Sequence, residues 1–386
     1  MRIGLFTDTY IPEINGVVTV LQMMIRELRK EGHEVYVFYP GHPSGDGINP
    51  GVYRFSSLRF IFYKGIRMAI PYNRGAFRCI PQLDVIHSHS PGPIGLLALS
   101  ASVRYHIPHV HTYHGLYMDC RNYLPRAIRP TRGMVKSVSR LLCNQCTAII
   151  APSDQMKNEL ESYGIRSPIY ALPFGVDEEE FSHEIRRDFR REFNLPTEDL
   201  LLYAGRLGVE KNLDFLLRSF RRLLSLHSSA RLIIAGDGPQ RNSLGQYAAN
   251  LGIAPYVFFT GSLKRSDLID LYKQATLFVF ASKAETQGLV VVEAMMAGIA
   301  VVAVGIMGPK DLITPSETGI LVEENEGDFA QACYRLLQDE KERQRLSTAA
   351  RNWARSHSSQ VSTRETLEIY YRCRYGTQTK KPSQNQ

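Results

Sequence analysis

Short apolar runs alternate with segments of helical period along this chain, and the alternation runs twice. The first runs cover residues 3–7, 34–39, 85–87, 109–112 and 148–151, and the second cover 200–204, 231–235, 257–260, 277–281, 300–304 and 319–322. Gly, Pro or Asp bound most of them, and their interiors are almost continuously apolar. A strand with one wet face alternates apolar and polar residues, whereas a strand covered on both faces does not. Helical spacing appears between the runs, over 18–30, 132–146, 213–226, 240–250, 265–274 and 329–339. Strands covered on both faces, in alternation with helices, predict parallel sheets with helices on either side.

At 386 residues the chain exceeds what one core usually supports. The first alternation ends near Pro173-Phe-Gly-Val-Asp177, and the stretch 177–199, with Arg186-Arg187 and Arg190-Arg191, reads as a linker with one short helix. The expected fold class is therefore α/β: two doubly wound, Rossmann-like parallel-sheet domains over 1–172 and 178–358, with 377–386 as a disordered tail. Ligands of such folds bind beyond the C-terminal ends of the strands, here expected in a cleft that the two domains face.

Charge changes the picture. The net charge is +8, and residues 1–170 carry all of it, with 19 Lys+Arg against 11 Asp+Glu. Within 54–140 the acids are only Asp84 and Asp119. Such asymmetry points to a polyanionic surface as partner of the first half. No nucleic-acid recognition motif accompanies it, so nucleic acid is not an expected partner. Six cysteines are too few and too scattered for a disulfide framework. Cys143-Asn-Gln-Cys146 lacks a second pair at zinc spacing and reads as two reduced thiols on one helix face. Met1-Arg2 runs directly into the first strand with no secretory signal, so the expected location is cytoplasmic. The weakly charged run 289–308 approaches the length of a membrane span, but Glu293 and its glycines make it a buried helix followed by a buried strand.

The most telling segment is Glu285-Thr-Gln-Gly-Leu-Val-Val-Val-Glu293. Each carboxylate can accept hydrogen bonds from two neighbouring hydroxyls. Between them, Thr286-Gln287-Gly288-Leu289 can start a helix whose first N–H groups, at the positive end of the dipole, suit phosphate. Two diol binders beside an anion site fit a nucleotide sugar; taken alone, the segment reads more readily as solvated helix glutamates. Gly205-Arg206-Leu-Gly208-Val-Glu-Lys211-Asn212 follows a strand and offers a planar fork of donors and a mobile point charge, which suits a departing diphosphate. Asn15-Gly16-Val17 and Gly236-Asp-Gly238-Pro239 occupy further strand-to-helix turns where backbone can approach a phosphate. Neither is a GxGxxG fingerprint.

Five of the eleven histidines stand at 87, 89, 109, 111 and 114. His114 closes His109-Val-His111-Thr-Tyr-His114-Gly115 just past a strand, where it can donate to a sugar hydroxyl. His109 and His111 read as strand caps. The spacing does not converge on one ion, and no Asp-x-Asp occurs, so the expected chemistry needs no metal and no cofactor.

In this order and spacing the Asn15-Gly16-Val17, His114, Gly205-to-Asn212, Gly236-to-Pro239 and Glu285-to-Glu293 segments resemble the retaining glycosyltransferases of family four, with the fold called GT-B, over nearly the whole chain. The resemblance implies that Gly16, Arg206 and Lys211 contact the donor diphosphate. It implies that Glu293 holds the ribose, that Glu285 with the backbone at Gly288 and Leu289 holds the donor sugar, and that His114 meets that sugar near C6. Backbone near 236–239, Gly236 included, and near 261–265 would read the donor base, uridine or guanosine. The resemblance further implies retention by same-face attack without a protein nucleophile, and a last helix, about 360–375, that crosses back to the first domain.

A narrower likeness concerns the acceptor. Phe6-Thr-Asp-Thr-Tyr-Ile-Pro12, Asn15-Gly-Val-Val-Thr19 and His111-Thr-Tyr-His-Gly-Leu-Tyr117 with Tyr123-Leu-Pro125 look like bacterial diacylglycerol glycosyltransferases, which make membrane glycolipids. Those enzymes commonly carry acids and histidines between the equivalents of Tyr117 and Tyr123; Met118-Asp-Cys-Arg-Asn122 keeps one acid and no His. The implied reaction moves a hexose, glucose first, to a lipid acceptor on the inner face of the cell membrane. An anionic membrane surface also suits the residues themselves. Arg132, Lys136 and Arg140 form a basic stripe beside Val135, Val138 and Leu142, and Arg59-Phe-Ile-Phe-Tyr-Lys64 interleaves aromatics with cations. The same fold acting on a soluble sugar or metabolite, or as a nucleotide-sugar epimerase or binding protein, is the alternative.

Overall fold

The computed structural model describes residues 1–13, 15–41, 51–59, 67–115, 129–195 and 199–376. The chain forms two compact units, Met1–Phe174 with Ser359–Gln386, and Gly175–Ser358.

The first unit is built on strands β1 (Arg2–Phe6), β2 (Glu34–Pro40), β3 (Val52–Phe55), β6 (Val85–Ser88), β7 (His109–Thr112), β8 (Ala148–Ala151) and β9 (Ile169–Ala171), in the order β3-β2-β1-β6-β7-β8-β9. Every pairing in this sheet is parallel. A separate antiparallel hairpin pairs β4 (Ser57–Arg59) with β5 (Arg67–Ala69). Ring stacking anchors the core: Phe6 lies on Phe38 at 4.3 Å and Phe38 on Tyr53 at 5.0 Å between centroids. The helix Gly16–Lys30 starts where Asn15 Oδ1 accepts the Val18 N–H at 3.0 Å, a cap worth about 1 kcal/mol. Its buried side includes Val20, Met23, Met24 and Leu28.

The helix Ser359–Tyr375 belongs to this first unit and packs against Gly16–Lys30. Its Tyr370 is fully buried, and the hydroxyl meets His87 Nδ1 at 2.5 Å. A uniform apolar stripe is not what lets it dock. Ser362, Thr363 and Thr366 are buried as well, with Thr366 Oγ1 donating to the Ser362 carbonyl at 2.8 Å.

The second unit carries β10 (Leu200–Ala204), β11 (Arg231–Ala235), β12 (Val257–Gly261), β13 (Leu277–Phe280), β14 (Ala300–Val304) and β15 (Ile320–Val322), all parallel, in the order β12-β11-β10-β13-β14-β15. Strands β10, β13 and β14 are buried along their whole length, which is why their sequences are unbroken apolar runs. The strand order reverses between β1 and β6 in one unit and between β10 and β13 in the other. Such switch points open a crevice beyond the strand ends. Asn15-Gly16 follows β1, Gly205-to-Asn212 follows β10 and Glu285 follows β13, whereas His114 follows β7 and Gly236 follows β11.

The stretch 177–199 differs from a free linker. Buried Asp270, on the helix Arg265–Gln274, accepts from His183 Nε2 at 2.9 Å and from the Arg186 and Arg187 N–H groups at 3.2 and 3.1 Å. Phe181 and Phe189 are buried beside it. Gln274 holds the same stretch, accepting the Phe189 N–H at 2.9 Å, so part of this charged sequence is docked on the helix rather than solvated. Among the described residues no helix is long and apolar enough to cross a membrane.

Candidate active site

In the second unit the backbone turns sharply after β10 and β11. Gly205 has φ 145° and Gly236 φ 138°, and a Cβ on Gly236 would lie 1.9 Å from the Gly205 carbonyl oxygen. Gly236 is thus required by the close approach of two loops, whatever else its backbone contacts. Beyond Gly205, Arg206 is half-buried, and burial draws its guanidinium below the ordinary range. Tyr203 Oη donates to the Arg206 carbonyl at 3.2 Å and steadies the turn.

Lys211 ends the short turn Val209–Lys211, and its Nζ forms an ion pair with Glu285 Oε2. The loop carrying Glu285 is pinned from behind. The Gly308 N–H donates to the Glu285 carbonyl at 2.8 Å, and a Cβ on Gly308 would meet the Gln287 carbonyl at 2.3 Å. Gly288, at φ 91°, then starts the helix Leu289–Ala297 and, as a glycine, brings no capping side chain of its own. The sequence expectation of a helix start between two acids holds in detail, with Glu285 before the helix and Glu293 within it.

Glu293 is buried at 3% exposure, so its charge needs partners. Tyr272 Oη donates to it at 2.9 Å, and Arg265 Nη1 pairs with its other oxygen. Arg265 also donates from Nε to Glu180 at 2.9 Å. Burial opposes the Arg265 charge, but Glu293 and Glu180 outweigh it and hold the guanidinium above its usual range. Burial, then Glu293, pushes the Tyr272 phenol well up, so it stays a donor. Neither partner was singled out in the sequence. The signal was their spacing: seven residues is two helical turns, which puts Arg265 and Tyr272 on one face.

In the first unit the histidines divide between the two faces of the sheet. Ser88 pairs in register with His111, and its Oγ lies 2.7 Å from both His109 Nε2 and His111 Nδ1. On the other face His87 Nε2 meets Thr112 Oγ1 at 2.7 Å, and His89 Nδ1 meets His114 Nε2 at 2.8 Å. His109 and His111 therefore do not cap the strand: both lie inside β7 and are buried. Burial, reinforced by the neighbouring histidines, holds His109 and His114 down to about 3. For His111, burial lowers the ring to about 4. All are neutral near pH 7.

Asp8, past the end of β1 and within the Phe6-to-Pro12 segment, is a further acid, half-buried. It accepts from Ser90 Oγ at 2.6 Å and from the Ile94 N–H at 3.0 Å, fixing the start of the helix Pro93–Tyr105. Burial raises its carboxyl. Gly16 opens the helix after β1, and a Cβ there would meet nothing within 4 Å; packing does not demand glycine at that position. Among the described residues no group of three His, Cys, Asp or Glu is arranged to hold a metal.

The basic helix is shorter than its sequence period, Arg132–Cys143, so Cys146 lies beyond it rather than on its face. Both thiols are free and buried, and burial pushes Cys143 up to about 12. The expected apolar stripe splits. Val135 faces inward, whereas Val138 is 54% exposed, together with Met134 at 57% and Leu141 at 64%. At about 100° per residue these three lie on the opposite flank from Arg132, Lys136 and Arg140. Lys136 Nζ lies over the Tyr163 ring at 4.8 Å. Tyr117 lies outside the described residues.

Two parallel-sheet α/β units, each with candidate residues in the loops that follow its strands, define the class of GT-B glycosyltransferases. Residues 14–180 match the family model described as Glycosyltransferase Family 4, and residues 185–353 that of Glycosyl transferases group 1. The alpha-monoglucosyldiacylglycerol synthase of Streptococcus pneumoniae is 32% identical over 349 residues, 87% of this chain and 78% of that protein. A GDP-mannose-dependent alpha-mannosyltransferase of Mycobacterium tuberculosis is 30% identical over 393 residues, 96% of each. The crystal structure of Anabaena HepE in complex with UDP-glucose shares the fold at TM-score 0.76 and 18% identity, covering 96% of this chain and 98% of that one. The chain belongs to glycosyltransferase family four.

Proposed function

We propose that this glycosyltransferase moves a hexose, glucose first, from a nucleoside diphosphate sugar to a membrane lipid hydroxyl, diacylglycerol first, with retention of configuration. The single observation that carries the donor half is the convergence in one unit of Lys211 on Glu285, a helix start at a glycine, Gly288, and the buried Glu293. In this reading the two acids hold the donor sugar and the ribose. Arg206, Lys211 and the N–H groups at Leu289 stabilise the charge that grows on the diphosphate as the C1–O bond breaks. The new bond forms on the same face, and the leaving phosphate oxygen takes the acceptor's proton. His114, neutral near pH 7, donates a hydrogen bond to the sugar rather than acting as an acid. No metal or cofactor is required.

The acceptor half is supported by the likeness of the first unit to diacylglycerol glycosyltransferases, by its basic charge and by apolar side chains at its surface. Met134, Val138 and Leu141 are exposed on one helix, and Leu58 and Met68 form an exposed cross-strand pair on the β4–β5 hairpin. Exposed apolar side chains on a unit of basic net charge suit the cytoplasmic face of an anionic membrane.

The test is a donor screen with UDP-glucose, UDP-galactose and GDP-mannose, against diacylglycerol in anionic vesicles and against soluble sugars, read by product mass. A hexosyl-diacylglycerol is expected. Transfer to soluble sugars alone would overturn the acceptor, and a changed donor with no acceptor consumed would overturn transfer itself.

A further inference from the structure

His89 is used by nothing above, yet it is 3% exposed and touches the one histidine given a role. Its Nδ1 faces His114 Nε2 at 2.8 Å. Burial holds both rings far below the ordinary imidazole range, so neither is a cation near pH 7. One proton therefore lies between the two facing nitrogens, and the far edge of His89 decides which ring owns it. His89 Nε2 is buried without a hydrogen-bond partner among the described residues, and the His87 ring lies over His89 at 4.0 Å between centroids. A buried N–H without an acceptor is among the rarest defects of folded proteins; a bare acceptor lone pair is better tolerated. The proton is accordingly on His89 Nδ1, donated to His114 Nε2.

We propose that His89 is a positioning residue that fixes His114 in the Nδ1–H tautomer, so that His114 meets the donor sugar as a neutral hydrogen-bond donor. The functional half of this rests on the reading of His114 as sugar-facing; the tautomer does not. The surroundings leave the pair little freedom. His114 lies between His89 and Phe174, with centroids 5.1 and 5.4 Å away and 27° between planes on both sides. Behind His89, both nitrogens of His87 are tied, Nδ1 to Tyr370 Oη at 2.5 Å and Nε2 to Thr112 Oγ1 at 2.7 Å. The tautomer of a histidine that acts on a ligand is commonly set by the partner of its other nitrogen.

Long-range proton–nitrogen NMR spectra of histidine-labelled protein report the tautomer of each ring, with His114 assigned by its loss in His114→Gln. The full-length wild type is expected to show His114 protonated at Nδ1. His89→Leu should release that preference and lower kcat by about 10- to 100-fold with little change in donor KM. His89→Asn places an amide nitrogen on Cγ where Nδ1 stood, and should restore both tautomer and most of kcat. An Nε2–H tautomer in wild-type His114 would overturn the proposal with no variant needed. So would an unchanged tautomer and kcat in His89→Leu. Full activity in His114→Ala would instead remove His114 from the reaction and leave the tautomer result standing.

Discussion

Lys211 Nζ donates to Glu285 Oε2, joining two loops that are 74 positions apart in the chain. Both side chains keep some contact with water, at 15% and 23% exposure, so the pair contributes on the order of 1 kcal/mol rather than the several of a fully buried one. A ligand can therefore redirect both groups at modest cost, the cation to a diphosphate and the acid to sugar hydroxyls. Glu285→Gln is expected to lower kcat/KM by about 10²- to 10³-fold, with the melting temperature nearly unchanged. Lys211→Ala should do the same, and the double variant should lose less than the product of the two. Steady-state kinetics with a thermal melt checks this, and wild-type turnover in Glu285→Gln would remove it from the site.

Glu293 poses a different case because its charge is buried and its partner Arg265 depends on it. Glu293→Gln should weaken nucleotide binding by tenfold or more and also destabilise the unit by about 3 kcal/mol, since Arg265 is left partly uncompensated. Tyr272→Phe removes one neutral donor and should cost only about 1 kcal/mol. Calorimetric titration with UDP and urea unfolding separate the two effects. Equal stability of Glu293→Gln and wild type would contradict the Arg265 pairing.

The buried histidines make stability depend on pH. His109, His111 and His114 titrate at about 3, about 4 and about 3 in the folded chain, against 6.5 ordinarily. As pH falls below 6.5 the unfolded chain binds protons that the folded chain refuses. The stability is whole above that pH and is lost towards the folded values, by up to roughly 1.4 kcal/mol per group per pH unit. The urea midpoint should therefore drop between about pH 7 and about pH 5. His111→Asn should flatten the slope by about one proton, and an identical slope in that variant would place His111 in water.

Surface binding can be divided by flank. Replacing Arg132, Lys136 and Arg140 with Gln should weaken sedimentation with anionic vesicles by about 100-fold at low salt, at about 1 kcal/mol per charge, and by little at high salt. Replacing Met134, Val138 and Leu141 with Ser should weaken it at both. Loss in neither variant would transfer the contact to another face, the β4–β5 hairpin being the next to test.

The sequence was readable where burial is symmetric. Strands β10, β13 and β14 announce themselves because both faces are covered. The helix Pro93–Tyr105 escaped notice because it is apolar nearly all round and shows no 3.6-residue period; only its Pro at the first turn marks it. Strand β9 is three residues at a sheet edge, half-buried, and lies between Pro168 and Pro173, which read as loop. Lys211, Glu285 and Glu293 were legible from residue type and spacing. Their pairing was not, since Arg265 reaches Glu293 only through a reversal of the chain. The histidines could have been sorted by counting in twos, which separates His87 and His89 from Ser88. Which face meets Tyr370, 283 residues on, was beyond any local rule.

The return of the helix Ser359–Tyr375 to the first unit sets manufacture against completion. On the ribosome, residues 1–174 emerge with His87 still lacking Tyr370 and the Gly16–Lys30 helix still uncovered along the side that the last helix will occupy. Residues 175–358 hold all their strands and helices in one uninterrupted stretch and can close as they appear. The half that is synthesised first is the half that is finished last, so a nascent chain stalled before residue 359 carries a complete second unit and an unsealed first one.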